Sequence, residues 1–339
     1  MKTDIYPHNI DYSHTKRALI PMLPRFISLS LTAIFLFLSA SIATAQNWYT
    51  VRDSAMKLAE QGRAQQAYSV VVGTRASGEN LFDKEFVAGW IALRKLNRPD
   101  VATTHFSKMA MSTVTIKGAE KNAAAKAKAG YWLGRALKQN GRSEEAKRLF
   151  KASVAYPNTF YGQLSASEIG YKIGYDQVKH LASSYPIRQL YWYDTRVRKE
   201  FVHAIIREES RFNQNALSNK AARGMMQVLD GTARGVGKNA GVNIDTNMMR
   251  NNADYNIVVG SRYLADQMSK YNNAMLAAAA YNAGPARPDE WLGRFGDPRG
   301  GSVDPVDWAE SIPFRETRDY VQKVIGSYVT YLALESRGK

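Results

Sequence analysis

A mainly helical chain in two parts, a solenoid of helical hairpins and then a second α-rich domain, is what the 339-residue sequence predicts. Three observations carry this. A hairpin pattern recurs across the first part, helical periodicity resumes after a Ser-Ser-Tyr-Pro break, and no alternating run is long enough to force a large sheet.

The recurring pattern lies within 46–185. Trp90-Ile91-Ala92-Leu93-Arg94-Lys95-Leu96-Asn97 followed by Pro99 to Phe106 resembles Trp132 to Asn140 followed by Gly141 to Phe150. Each is an apolar helix, a short polar break and an amphipathic helix, with Ala102 or Ala146 at the matching place. Ala64-Gln65-Gln66-Ala67 after Gly62 reads as a degenerate third copy. A repeat of about forty residues, with small residues where helices approach, is the pattern of stacked helix pairs. The alignment requires a small gap. At Ser183-Ser184-Tyr185-Pro186 the proline ends the preceding helix, which predicts a second domain over 186–339. Within it, the Gly and Asn residues between Gly231 and Asn252 predict connecting loops.

Residues 1–45 read as an export signal. Lys16, Arg17 and Arg25 precede the apolar run from Phe26 to Ile42, and Ala43-Thr44-Ala45 before Gln46 is a small-x-small cleavage pattern. The charged region is long, and Met22 as the true start would shorten it. An uncleaved anchor is the competing reading, because the run approaches bilayer-spanning length. Cleavage predicts a periplasmic mature chain with no transmembrane segment. With no cysteine there are no disulfides, thiol nucleophiles, Cys-ligated metal or lipoprotein anchor. His180 and His203 lack metal-ligand spacing, so neither a metal nor another cofactor is expected.

The formal charge is +16, and loss of Lys2, Lys16, Arg17, Arg25, Asp4 and Asp11 with the signal leaves about +14. Such a chain seeks an anionic partner: nucleic acid, acidic lipid or a carboxylate-bearing wall. Export and the lack of a basic-aromatic motif argue against nucleic acid.

One acid stands out. Over Phe201 to Ser210, Val202, Ile205 and Ile206 form a stripe, and Glu209 lies seven residues beyond Val202 on that same stripe. Glu208 rotates to its edge, nearer solvent. A carboxyl against apolar neighbours is favoured in its neutral form, as a general acid for glycosidic cleavage must be. A helix-end Glu paired with Arg223 is the plainer alternative. The polar loop Asn213 to Lys220, and Gly224-Met225-Met226-Gln227 after it, turns the chain back so that Gln227 approaches Glu209.

These residues resemble the soluble lytic murein transglycosylase family, through four blocks in order: Glu209-Ser210 with Asn213; Gly224-Met225-Met226-Gln227 with Thr232-Ala233; Asn256-Ile257, Gly260 and Tyr263-Leu264 with Ala280-Tyr281-Asn282-Ala283-Gly284-Pro285; and Glu310-Ser311-Ile312-Pro313-Phe314-Arg315-Glu316-Thr317-Arg318-Asp319-Tyr320-Val321. The resemblance covers roughly 186–335 and implies a goose-type-lysozyme-like catalytic domain behind a helical superhelix. It implies Glu209 as the single acid and base. It also implies that Ser218, Gln227, Leu229, Tyr281, Asn282, Glu310 and Tyr320 contact the substrate, a peptidoglycan glycan strand. Met225 stands where the family usually has Leu, Leu229-Asp230 where Met-Pro is frequent, Gln214 where Pro is common and Ala221 where Gly is common; Arg223 takes a place usually small. Read without the resemblance, Tyr281 to Pro285 is a helix cap, Tyr320 is core and Glu310 is a surface acid or a partner for Arg315.

The implied reaction cuts the bond between N-acetylmuramic acid and N-acetylglucosamine and leaves a 1,6-anhydro end. The competing readings are a lysozyme-type hydrolase, which needs no new residue, and a catalytically vestigial scaffold that meets envelope proteins through its helical part.

Overall fold

The computed structural model describes residues 47–337, and the export signal expected over 1–45 lies outside them. Among the described residues all regular structure is helical, apart from isolated bridges joining Leu217 to Arg223 and Arg223 to Val228.

The first part stacks helical hairpins: α1 (Trp48–Glu60) with α2 (Ala64–Gly73), α3 (Gly78–Trp90) with α4 (Pro99–Ser112), and α5 (Ala119–Gln139) with α6 (Ser143–Ser153). Each turns through one left-handed residue, Gly62, Asn97 or Gly141. Ala67, Ala102 and Ala146, at the start of each second helix, are fully or almost fully buried, so the degenerate third copy is a true structural repeat.

Close approach sets the register. A Cβ on Gly89 would stand 2.6 Å from Phe106, and one on Gly134 would stand 2.5 Å from Phe150. Gly89 therefore matches Gly134, a correction to the sequence alignment of Trp90 with Trp132. The chain from Gly89 to Phe106 is one residue longer than that from Gly134 to Phe150. A π turn at Ile91–Lys95 takes up the extra residue. The turn hydrogen bonds agree: Arg98 N–H donates to Ala92 O, a span one residue longer than Arg142 N–H to Leu137 O. In this corrected register the π turn accounts for the one-residue difference between the two copies. Phe86, Phe106 and Trp132 fill the layer, with Trp132 ring centroids 5.7 Å and 5.9 Å from the two phenylalanines.

After α7 (Phe160–Glu168) and the short α8 (Tyr175–Val178), the second part comprises α9 (Lys199–Ser210), α10 (Asp230–Ala240), α11 (Thr246–Asn251), α12 (Ala253–Tyr271), α13 (Ala274–Ala283), α14 (Ala286–Phe295), α15 (Pro305–Ser311) and α16 (Arg315–Leu334). Asn252 and Asn273 cap α12 and α13 by accepting from the Tyr255 and Leu276 amides. The loops expected between Gly231 and Asn252 are largely helical instead, as α10 and α11. Burial of Ala233, Val236 and Met249 outweighs the low helix propensity of the glycines there.

Two cores divide the chain. One gathers residues from Trp48 to Ile169 together with Val306. The other gathers Ile173 to Leu334 and centres on α9, α13 and α16. Asp307 ties them, accepting from Trp90 Nε1 at 2.9 Å and Arg94 Nε at 2.6 Å. Gln163 Nε2 does the same by donating to Gly326 O at 2.8 Å. Residues 47–337 behave as one compact unit.

Candidate active site

The site grows from the C-terminal end of α9. Phe201, Val202, Ile205 and Ile206 are buried against α16, which draws Glu209 one turn later into the interior face. Arg211, with φ 53°, ends the helix by turning left-handed. Ser210 Oγ then donates to Met225 O at 2.8 Å, so the loop 224–228 folds back over the helix end as the sequence predicts.

That loop is held from three sides. Asn256, wholly buried, accepts from the Met226 amide at 2.9 Å and donates to Arg223 O at 3.0 Å. Gly224 has φ 79° and faces Asn256 so closely that a Cβ would overlap its amide, which explains the glycine. Gln227 Nε2 donates to Ala216 O at 2.9 Å and Gly224 O at 3.0 Å. Ser218 Oγ accepts from the Lys220 and Ala222 amides at 3.2 Å and 3.0 Å, closing the small hairpin before the loop. Both side chains thus shape the loop. Leu229, 40% exposed, sits at the start of α10.

Two tyrosines complete the acid's surroundings. Tyr320 on α16 donates its hydroxyl to Glu209 Oε1 at 2.7 Å. Tyr281 on α13 donates to Met226 O at 2.8 Å and packs on Tyr263 with ring centroids 5.3 Å apart. Burial pushes both phenols well above their ordinary range, and the Glu209 charge pushes them further. Asn282 Oδ1 accepts from Thr317 Oγ1 at 2.7 Å, pinning the end of α13 to α16.

The Glu209 carboxyl titrates at about 7, against an ordinary 4.5. Burial is the main cause, the charges of Glu316 and Glu208 add to it, and the Tyr320 hydrogen bond opposes it by stabilising the anion. Tyr320→Phe is therefore expected to move the alkaline limb of the pH–rate profile upward, with a nearly unchanged fold. A limb that stays in place would show that the tyrosine has no hold on the acid.

Two expectations are corrected. Glu208 does not face solvent. Its side chain is 5% exposed, paired with Arg207, and accepts from Ser327 Oγ at 2.7 Å. Glu310 is not a surface acid. It is 1% exposed, 2.6 Å from Lys128 Nζ, and bonded to Tyr161 and to Gln322 Nε2. Burial alone would raise its carboxyl, but the Lys128 and Arg318 charges hold it below the usual range. Glu310 is a buried counter-ion between the two parts of the chain, because α5 and α7 cover the face that the sequence leaves open. Asp230, at the start of α10, pairs with Arg250. Among the described residues no second carboxylate hydrogen-bonds to Glu209.

The residues unforeseen from sequence are those behind the acid. Arg207 stacks 4.0 Å from the Tyr185 ring centroid and reaches Glu120 on α5 at 2.7 Å, which Arg211 also meets at 2.9 Å. The run Arg207-Glu208-Glu209 was the only local signal. Ala221, where the resembling family has Gly, holds φ 62°. Ala221→Gly is expected to stabilise the protein by roughly 0.5–1 kcal/mol in chemical denaturation, because left-handed Ala costs about 1 kcal/mol or more. Equal midpoints would refute this.

Residues 190–300 match the family described as Transglycosylase SLT domain. The chain is 37% identical over 142 residues to a putative soluble lytic murein transglycosylase of Haemophilus influenzae, covering 42% of this chain and 23% of that protein. It is 31% identical over 196 residues to the soluble lytic murein transglycosylase of Escherichia coli, covering 56% of this chain and 29% of that protein. The chain thus spans under a third of the length of these curated relatives. In fold it is similar to an inactive mutant of the lytic transglycosylase Slt from Pseudomonas aeruginosa, with TM-score 0.54, 22% identity and coverage of 83% of this chain and 62% of that one. It is similar also to the 70-kDa soluble lytic transglycosylase of Escherichia coli, with TM-score 0.51, 20% identity and coverage of 91% and 54%. The fold is thus a helical solenoid joined to a lysozyme-like domain.

Proposed function

Proceeding from a Transglycosylase SLT domain over residues 190–300, we propose that the chain cleaves peptidoglycan glycan strands at the β-1,4 bond between N-acetylmuramic acid and N-acetylglucosamine. Its place of action is the periplasm, where a cleaved leader would release it. Envelope proteins that meet the helical layer are further partners in this reading. Among the described residues no helix is long and apolar enough to cross a membrane.

The observation that supports the reading is one largely buried carboxyl kept partly protonated near pH 7 beside two tyrosines, with no second carboxylate hydrogen-bonded to it among the described residues. Neutral Glu209 gives its proton to the bridging oxygen as the muramoyl C1–O bond breaks. The carboxylate then takes the proton of the muramoyl C6 hydroxyl as that oxygen bonds to C1. The proton count returns to its start, and no water is consumed. Intramolecular attack benefits from a high effective molarity, so no separate base for water is required.

The test is mass spectrometry of products from intact sacculi. Anhydro-muropeptides, lighter by one water than hydrolytic fragments, are expected; exclusively reducing ends would move the chain to the hydrolases. The same chemistry fixes a pH response. Glu209 must enter as the acid, so kcat/KM is expected to fall about tenfold per pH unit above about 7. A flat profile from pH about 6 to 9 would show that this carboxyl is not the acid.

A further inference from the structure

A cavity of about 740 Å³ lies between α5 and α16, and neither Glu209, Tyr281 nor Tyr320 lines it. Glu208 lines it, whereas Glu209, one residue on, faces Tyr320. Its wall holds Arg318, 4% exposed, whose Nη1 donates to Ile312 O at 2.7 Å. Among the described residues no other acceptor meets this guanidinium, and no carboxylate stands within 4.0 Å of it.

Its surroundings are short of anions at contact distance. Buried Arg52 and Arg318 and the part-buried Lys128 share this region with two carboxylates, Asp83 and Glu310, both already engaged by Arg52 and Lys128. Burial, and then the neighbouring Arg52 charge, disfavour the Arg318 cation, and the more distant Glu310, Asp83 and Asp319 carboxylates offset this only in part. A buried cation with no carboxylate in contact is only partly compensated, so an anionic group placed against it is favoured. At the rim, Arg315 and Lys323 are exposed, and Tyr49, Phe82 and Phe160 supply apolar wall. The volume exceeds what a lone ion needs. Asp83, Glu120 and Asp319 on the same wall disfavour a multiply charged anion but accept peptide N–H groups.

We propose that this cavity binds a short peptide through a free carboxylate received by Arg318. The site stands on its own residues and is independent of what Glu209 does.

The experiment is calorimetric titration of the whole protein with an N-acetylated tetrapeptide acid and with its C-terminal amide. The acid should bind saturably and the amide at least tenfold more weakly. Arg318→Gln should weaken the acid at least tenfold, with partial rescue by Arg318→Lys. Should Arg318→Gln fail to fold, the exposed Arg315→Gln and Lys323→Gln variants should each weaken binding several-fold. A γ-glutamyl-linked wall peptide, run alongside, tells a wall source from an ordinary polypeptide end by which binds more tightly. Equal heats for acid and amide, no heat for either, or tighter binding of inorganic phosphate than of the acid would overturn the proposal.

Discussion

Glu209→Gln is expected to lower glycan cleavage by a factor of about 10²–10⁴ while leaving circular dichroism unchanged, because positioned proton transfer contributes that much and the amide is nearly isosteric. The substitution also has a stability signature. The carboxyl titrates at about 7 when folded and near 4.5 in an ordinary environment. Folding therefore takes up a proton between those values, and stability falls as pH rises from 4.5 to about 7, with the loss complete above that. The neutral amide escapes this loss. Denaturation midpoints should thus be equal or higher for the variant at pH about 8, and the difference should shrink toward pH about 4. A variant that digests sacculi like the parent would remove the acid assignment. A variant that is inactive and unfolded at both pH values would refute the picture of a carboxyl held against its own charge preference.

Glu310→Ala is expected to act on stability rather than on substrate binding. The Glu310 carboxylate is buried at 1% exposure and compensates Lys128 at 2.6 Å, with Arg318 adding to the positive field around it. Removing it leaves buried cations without their partner, a loss of about 3–5 kcal/mol. Urea denaturation at neutral pH should show this loss, and the residual folded enzyme should keep its KM for glycan. Near-wild-type stability with a raised KM would restore the substrate contact that the resemblance implies for this residue. Glu310→Gln should fall between, since it keeps the shape and a hydrogen-bond partner for Tyr161 but not the charge.

Local features were legible without coordinates because periodicity is local. Val202, Ile205, Ile206 and Glu209 share one stripe by the 3.6-residue period alone, and α9 buries that stripe as expected. The hairpin repeat was visible through Ala67, Ala102 and Ala146, each buried at the start of a second helix. Its register was not. The π turn at Ile91–Lys95 adds a residue where composition gives no sign of one, and only the packing of Gly89 on Phe106 reveals it.

The sequence by itself therefore determined the helical class, the stacked hairpins, the acid on an apolar face and the loop that returns over it. Tertiary structure alone decided what each polar group meets. Glu208 is edge-on in a helical projection, yet Arg207 and Ser327 enclose it. Glu310 has the look of a surface acid, yet Lys128 and Tyr161 arrive from a different part of the chain. Tyr320 fits a core stripe, yet its hydroxyl reaches Glu209. The physical reason is common to all three: burial and partnership of a side chain depend on which distant segment packs over it. A charge's free energy in turn depends on that environment far more than on its neighbours along the chain.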